Sequence, residues 1–121
     1  PQQQKIKTYK PLLSEVFDTV AATIKAENLK PVKFNIEIKS VPEEYGFYQP
    51  EPREFVDLVM QVIQESKAEN LVNIQSFDPQ ILEVMHNQYP DIELAYLVED
   101  GKVRISNSLI RLRLIKFTKQ V

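Results

Sequence analysis

The chain of 121 residues contains no cysteine, no tryptophan, one histidine and no long hydrophobic run. Without cysteine it can form neither disulfides nor thiolate metal sites, although this absence does not fix the compartment. Its apolar runs are too short to cross a bilayer, and no apolar segment with a basic flank opens the chain. We therefore expect a soluble protein without an integral membrane segment, from a parent that is cytoplasmic, periplasmic or secreted.

Charge is distributed unevenly along the chain, although the formal net charge is only −2. All 17 acidic residues lie in residues 1–100 with nine of the 15 basic ones, and residues 101–121 contain the other six. A basic tail is typical of binding to nucleic acid or to an anionic membrane, but a truncated or misread end has the same composition. The acidic remainder would repel phosphates, so we predict no nucleic-acid partner.

Hydrophobic periodicity predicts three helices and three strands in alternation. Apolar residues at helical spacing lie between Pro11 and a stop at Asn28, after Pro52, and after the N-cap pair Asp78-Pro79. Short connections between alternating helices and strands favour parallel strands joined by right-handed crossovers. The sequence therefore predicts an α/β fold with strands at residues 34–39, 71–77 and 92–98.

Polar side chains alternate with apolar ones along the first two strands. Asn35, Glu37 and Lys39 share one face of the first strand, and Asn73 and Gln75 share a face of the second. Parallel strands are normally covered on both faces, so a carboxylate or ammonium there needs a partner, a metal or a solvated cavity. The pattern is compatible with a polar cavity between the two strands and equally with a solvated sheet edge.

Four segments, in this order, resemble motifs of the glycerophosphodiester phosphodiesterases. The first strand contains the Glu-Ile-Lys motif of that family, and the resemblance extends from about Lys7 to about Glu99. It implies a partial TIM (β/α)₈ barrel that comprises the fourth, fifth and sixth strands. The resembling segments are residues 11–16 (Pro-Leu-Leu-Ser-Glu-Val), 35–40 (Asn-Ile-Glu-Ile-Lys-Ser), 74–78 (Ile-Gln-Ser-Phe-Asp) and 94–98 (Leu-Ala-Tyr-Leu-Val).

The resemblance also implies a chemistry. Members of the family use a divalent metal, commonly magnesium or calcium, to hydrolyse glycerophosphodiesters to glycerol 3-phosphate and an alcohol. Glu37 matches a carboxylate ligand of that metal, a role that suits a hard oxygen donor. Lys39 matches the lysine that contacts the phosphate, where a fixed cation offsets charge that develops in the transition state.

The family's other catalytic motifs have no counterpart in this sequence. The His-Arg-Gly motif, two further acidic metal ligands and a second histidine are absent. The single histidine, His86, lies in the third predicted helix and outside any such motif, and a lone helical histidine is usually a surface residue. Because no other group can act as acid and base at neutral pH, we expect the isolated chain to be inactive. The alternative is a non-enzymatic half-barrel, either a pseudoenzyme or a binding module; a flavodoxin-like regulator fits the alternation but not the motifs.

Residues 40–51, here called the aromatic loop, follow the strand that contains Glu37. In a barrel this loop borders the catalytic mouth, so Tyr45 and Tyr48 are candidate substrate-binding residues whose rings could face a quaternary ammonium. Gln75 is a candidate for lining the same cavity. The competing interpretation is that the rings provide buried area and that Gln75 satisfies buried hydrogen bonds.

We interpret residues 1–121 as one partial phosphodiesterase domain in which residues 100–121 form a divergent basic tail. Truncation or a change of reading frame explains this tail better than a membrane-binding extension does. Three strands cannot close a barrel, so two open sheet edges predict self-association.

Overall fold

A computed structural model describes residues 5–98, which belong to two compact units, Pro1–Pro31 and Val32–Val121. The described residues of the first unit form one helix, α1 (Leu13–Glu27). Asn28 is the C-cap residue that terminates this helix, as predicted. Asn28 adopts the left-handed conformation with φ 51°, and the Leu29 N–H donates to the Ile24 carbonyl at 2.9 Å. Asparagine tolerates this conformation better than most residues, which is why it ends helices.

The second unit is a parallel α/β structure. Its strands form one sheet in the order β1-β2-β3, and both neighbouring pairs are parallel. The predicted alternation is therefore confirmed. Along the chain the elements are β1 (Phe34–Glu37), α2 (Pro52–Glu65), β2 (Val72–Ser76), α3 (Pro79–Gln88) and β3 (Glu93–Tyr96).

Local signals determine where both helices of this unit begin. Pro52 and Pro79 each occupy a first helical position, where the missing N–H has no intrahelical role. Asp78 caps α3 by accepting the Gln80 N–H at 2.9 Å. At its other end α2 closes in a Schellman arrangement, in which Lys67 has φ 53°.

The strands are shorter than the sequence pattern predicts. β1 ends at Glu37 instead of Lys39, although the Ile38 N–H still donates to the Gln75 carbonyl at 2.9 Å. The alternation of apolar and polar residues continues beyond the last full pairing, so the pattern alone predicts strands that are too long.

An apolar core is assembled from the sheet and the helices of the second unit. Helix α3 contacts α2, β2 and β3, and Ile74 in the central strand is fully buried. None of the helices in residues 5–98 is long and apolar enough to cross a bilayer. The side chains below 2% exposure in this core are Val56, Met60, Ile63, Ile74, Ser76, Ile81, Leu82, Met85 and Leu97.

Candidate active site at the carboxyl edge of the sheet

The strand register places Glu37 and Gln75 in one row across the sheet. Glu37 pairs with Gln75, and Gln75 pairs with Ala95. Because side chains alternate between the two faces of a sheet, these three residues share a face. Glu37 is half-buried, whereas Gln75 is 6% exposed. The two polar residues singled out in the sequence are therefore neighbours, at the carboxyl edge, which is the edge of the sheet where β1–β3 end.

Lys39 follows Glu37 by two residues and lies just beyond the end of β1. It is exposed, while Ile38 between the two is buried at 3%. Lys39, which is cationic, and Glu37, which is a carboxylate, thus both lie at the carboxyl edge of the sheet. In parallel α/β folds this edge bears the ligand sites, because the loops that follow the strands converge there.

The ends of β1 and β2 are joined through Ser76. Its hydroxyl, which is fully buried, donates to the Ile38 carbonyl at 2.7 Å and accepts the Asp78 N–H at 3.1 Å. This is a structural role, and it satisfies two backbone groups that would otherwise be buried without partners. Hydrogen bonding within the fold therefore accounts for the Ser76 side chain.

Asp78 is a buried carboxylate that bridges two segments of this edge. It is 3% exposed, and its Oδ1 atom caps α3. Its Oδ2 atom accepts the Ser40 hydroxyl at 2.8 Å and also the Tyr45 hydroxyl. We call Ser40, Tyr45, Ser76 and Asp78 the Asp78 cluster. One buried carboxylate therefore ties the aromatic loop after β1 to the start of α3.

The hydrogen bond to Asp78 holds Tyr45 in its neutral form. Burial, together with that hydrogen bond, raises the pKa of Tyr45 from 10.0 to about 12. A raised tyrosine pKa favours the protonated folded state, so its stabilising effect is complete below pH 10 and is lost as the pH rises through about 12. The Tyr45 hydroxyl is therefore a hydrogen-bond donor throughout the physiological range.

The aromatic loop is closed by its own hydrogen bonds. The Gln49 side chain accepts the Val41 N–H at 3.1 Å and donates to the Val41 carbonyl at 2.8 Å. Gly46 has φ 76°, and a Cβ atom there would lie 2.8 Å from the Glu51 carboxylate, so this turn favours glycine. The aromatic loop is thus held in a defined conformation by its own hydrogen bonds.

The loop aromatics occupy different environments. Tyr45 is half-buried and bonded to Asp78, whereas Tyr48 and Phe47 are 88% and 85% exposed. The Tyr48 ring is thus open to solvent. The structure therefore separates the two candidate tyrosines into an anchoring position and a solvent-facing one.

Glu37 alone does not complete a metal site. Within residues 5–98 there is no group of three or more histidine, cysteine, aspartate or glutamate side chains positioned to hold an ion. A hard divalent cation takes six or more oxygen ligands, which come from carboxylates, carbonyls, waters and substrate phosphates. The described residues fit one ligand of such a site and not the whole of it.

A separate polar depression lies at the opposite, amino edge of the sheet. Its volume is about 410 Å³ and its lining includes Asn35, Asn73 and Asp91. None of Glu37, Lys39, Gln75 or the Asp78 cluster lines it. Because ligand sites of parallel sheets lie at the carboxyl edge, this depression is not the candidate active site.

Glu37, Lys39 and Gln75 are candidates from the sequence alone, whereas the connection between Ser40, Tyr45 and Asp78 emerges only from the structure. Asp78 was interpreted only as a helix cap. One available signal was that parallel strands end at the same edge, which places Ser40 and Asp78 after neighbouring strands. His86 lies half-buried in α3, away from the strand ends that form this edge.

The fold defined by these elements is a partial TIM barrel. The chain is similar in structure to a glycerophosphodiester phosphodiesterase from Parabacteroides distasonis ATCC 8503, with 20% identity and a TM-score of 0.51 over 77% of this chain and 34% of that one. It is also similar to a protein from Silicibacter pomeroyi DSS-3 that is assigned as a glycerophosphoryl diester phosphodiesterase, with 25% identity and a TM-score of 0.56 over 80% of this chain and 32% of that one. No protein-family profile and no curated protein matches the chain.

The resemblance predicted from four sequence motifs is therefore found in the structure as well. The chain spans about a third of the length of the phosphodiesterase structures that it matches. This is consistent with a fragment of that family, and the three parallel strands with their helices match a partial barrel. The basic tail, residues 100–121, lies outside the described residues.

Proposed function

We propose that this chain is a segment of a metal-dependent glycerophosphodiester phosphodiesterase barrel and that it contributes Glu37 and Lys39 to the active site. The substrate class is a small glycerophosphodiester, cleaved to glycerol 3-phosphate and an alcohol. The observation that supports this most is the row of Glu37 and Gln75 at the carboxyl edge of a sheet that is similar to such barrels. Catalytic side chains of TIM barrels lie at this edge.

In this proposal each side chain acts through its charge or its hydrogen-bonding capacity. Lys39 contacts the phosphate and offsets the negative charge that accumulates on it during hydrolysis. Glu37 provides one carboxylate ligand to magnesium or calcium, and the remaining ligands come from other strands of a complete barrel. Gln75, next to Glu37, lines the same cavity and is able to donate or accept a hydrogen bond to the substrate. The bound metal would polarise the phosphoryl oxygens.

The isolated 121-residue chain is expected to show no metal-dependent hydrolysis of glycerophosphocholine. Residues 5–98 hold no group of three metal-ligating side chains, and the sequence contains none of the family's histidine motifs. Acid–base catalysis alone contributes about 10²–10⁴-fold. Product release with magnesium or calcium measures this directly. Efficient turnover that is abolished by a chelator would contradict the fragment proposal.

A chimeric enzyme tests whether the segment is competent when the rest of the barrel is present. Residues 7–98 would replace the matching third of the Silicibacter pomeroyi protein, once turnover by that parent has been established. Recovery of metal-dependent hydrolysis supports the proposal. A folded chimera with no turnover would favour the alternative, a non-enzymatic half-barrel that serves as a pseudoenzyme or binding module.

We further propose that the chain alone self-associates through its outer strands. β1 and β3 flank β2 in the described sheet, and open strand edges tend to recruit other strands. Sedimentation velocity over a range of concentrations is expected to show oligomers. A monodisperse monomer that unfolds cooperatively would overturn this part of the proposal.

A further inference from the structure

We propose that Asp78 is a positioning residue that locks the aromatic loop to the carboxyl edge of the sheet. The inference concerns a side chain for which the resemblance implied no role. It deepens the proposed function, on which its relevance to catalysis rests, although the lock itself can be tested without any activity.

The two carboxylate oxygens of Asp78 have different hydrogen-bond partners. Oδ1 accepts the Gln80 N–H at 2.9 Å and so caps α3. Oδ2 accepts two hydroxyls, one from Ser40 at 2.8 Å and one from Tyr45. A cap alone needs one acceptor oxygen, so the second oxygen is available for the loop. Hydrogen bonds to a charged acceptor are stronger than those between neutral groups.

The bonds from Ser40 and Tyr45 to Asp78 join segments that are far apart in sequence. Ser40 and Tyr45 lie 38 and 33 residues before Asp78, so the bonds connect the loop after β1 to the turn after β2. Ser76 supports this connection by linking Asp78 to the Ile38 carbonyl. The carboxylate is 3% exposed, which shields both hydroxyl contacts from competition with water.

The bond between Tyr45 and Asp78 controls the turn that follows Tyr45 in the aromatic loop. Glu44, adjacent to Tyr45, accepts the backbone N–H groups of Phe47, Tyr48 and Gln49 through its carbonyl, at 3.1, 3.1 and 3.3 Å. Anchoring Tyr45 therefore orders the turn that displays Phe47 and Tyr48. The aromatic loop begins directly after Lys39, two residues beyond the end of β1, so its position sets the wall of the edge at which Lys39 and Glu37 lie. A loop that is ordered before binding loses less entropy when a ligand arrives.

Hydrogen exchange on the 121-residue chain tests the lock. Tyr45→Phe removes the hydroxyl and keeps the ring and the cap, and Tyr48→Phe is the matched control in the same loop. We expect Tyr45→Phe to lower protection of the Phe47, Tyr48 and Gln49 amides by about tenfold or more, because local opening is no longer opposed by the anchor. Tyr48→Phe should leave these amides unchanged, and α3 should stay protected in both variants.

Asp78→Asn provides a second variant with a different signature. Asparagine remains a good N-cap, so α3 should stay protected while the acceptor for the two hydroxyls is lost. A spectrophotometric titration of tyrosine, taken as the difference from Tyr45→Phe, should show the pKa of Tyr45 falling from about 12 towards 10.0. The subtraction removes Tyr89, whose pKa is also raised, by burial and by its hydrogen bond to Asp57.

Two results would overturn the lock. Equal loop protection in Tyr45→Phe and the parent chain would show that the hydroxyl does not anchor the loop. Loss of protection spread evenly over β2 and α3 in Tyr45→Phe would show a general destabilisation instead. In the chimera, a positioning role predicts that Tyr45→Phe raises KM with a smaller change in kcat. An inactive chimera would count against the proposed function and leave the exchange result to decide the lock.

Discussion

The Ile74→Ala variant is expected to lose about 2–5 kcal/mol of unfolding free energy, the range found when buried isoleucine or leucine is truncated in a packed core. Ile74 lies in the central strand, is fully buried, and pairs in register with Ile36 on one side and Leu94 on the other. The chain around it cannot collapse into the space because strands flank it on both sides. A domain of this size is stable by only about 5–15 kcal/mol, so the variant approaches the limit of folding.

Urea denaturation followed by circular dichroism measures this loss, since the chain has no tryptophan to report by fluorescence. Ile74→Val, which removes one methylene, should cost about 0.5–1.5 kcal/mol and so give a graded series. The matched control is Leu58→Ala on α2, where the side chain is 50% exposed. Its expected effect is within about 0.5 kcal/mol. Equal losses at Ile74 and Leu58 would mean that β2 is not the centre of a packed core.

Local sequence signals predicted the helix ends well because each depends on neighbouring residues only. Asn28 ends α1 through its own backbone conformation, and Pro52 and Pro79 begin helices because proline suits a first helical position. Strand ends were predicted less well. Their limits are set by pairing with a neighbour, and the alternating pattern continues past the last paired residue.

The candidate site could likewise be predicted from the sequence only in part. Glu37 and Gln75 could be predicted as a pair, because period-two alternation and parallel neighbours place them on one face. The shared strand edge places Ser40 and Asp78 near each other, but the hydrogen bonds of the Asp78 cluster could not be predicted, since they depend on how the aromatic loop folds back across 33 and 38 residues of sequence. No periodicity encodes that path. Tyr45 illustrates the consequence, because it was a candidate substrate-binding residue with ring packing as the competing interpretation, and neither interpretation predicted the bond of its hydroxyl to Asp78.

Like the sequence motifs, the similarity to phosphodiesterase structures covers only part of a barrel. It covers about a third of those chains. Residues 5–98 hold no set of three metal-ligating side chains. The site is therefore best tested within a complete barrel, where the contribution of each side chain becomes measurable.

Within the chimera, Lys39→Met is expected to lower kcat by about 100–1000-fold, the loss seen when one preorganised donor to a developing negative charge is removed. Methionine keeps a flexible apolar stem close to the length of the lysine stem and removes the ammonium group, with its charge and its hydrogen-bond donors. The matched control is Lys33→Met, since Lys33 lies just before the start of the same strand, at the amino edge. Because the control removes the same charge from the other end of β1, it separates a local contact from a change in net charge.

Glu37→Gln in the same chimera should raise the metal concentration that gives half-maximal activity, because a neutral amide is a weaker ligand for magnesium or calcium than a carboxylate. Glu69→Gln, an exposed position at the amino edge, should leave that concentration unchanged. Metal titrations at saturating substrate measure both variants. If Lys39→Met and Lys33→Met lowered kcat equally, or Glu37→Gln left the metal dependence intact, the carboxyl edge of this segment would not be part of the phosphodiesterase site. The segment would then act in the barrel only through its packing, with Ile74 and its neighbours as its main contribution.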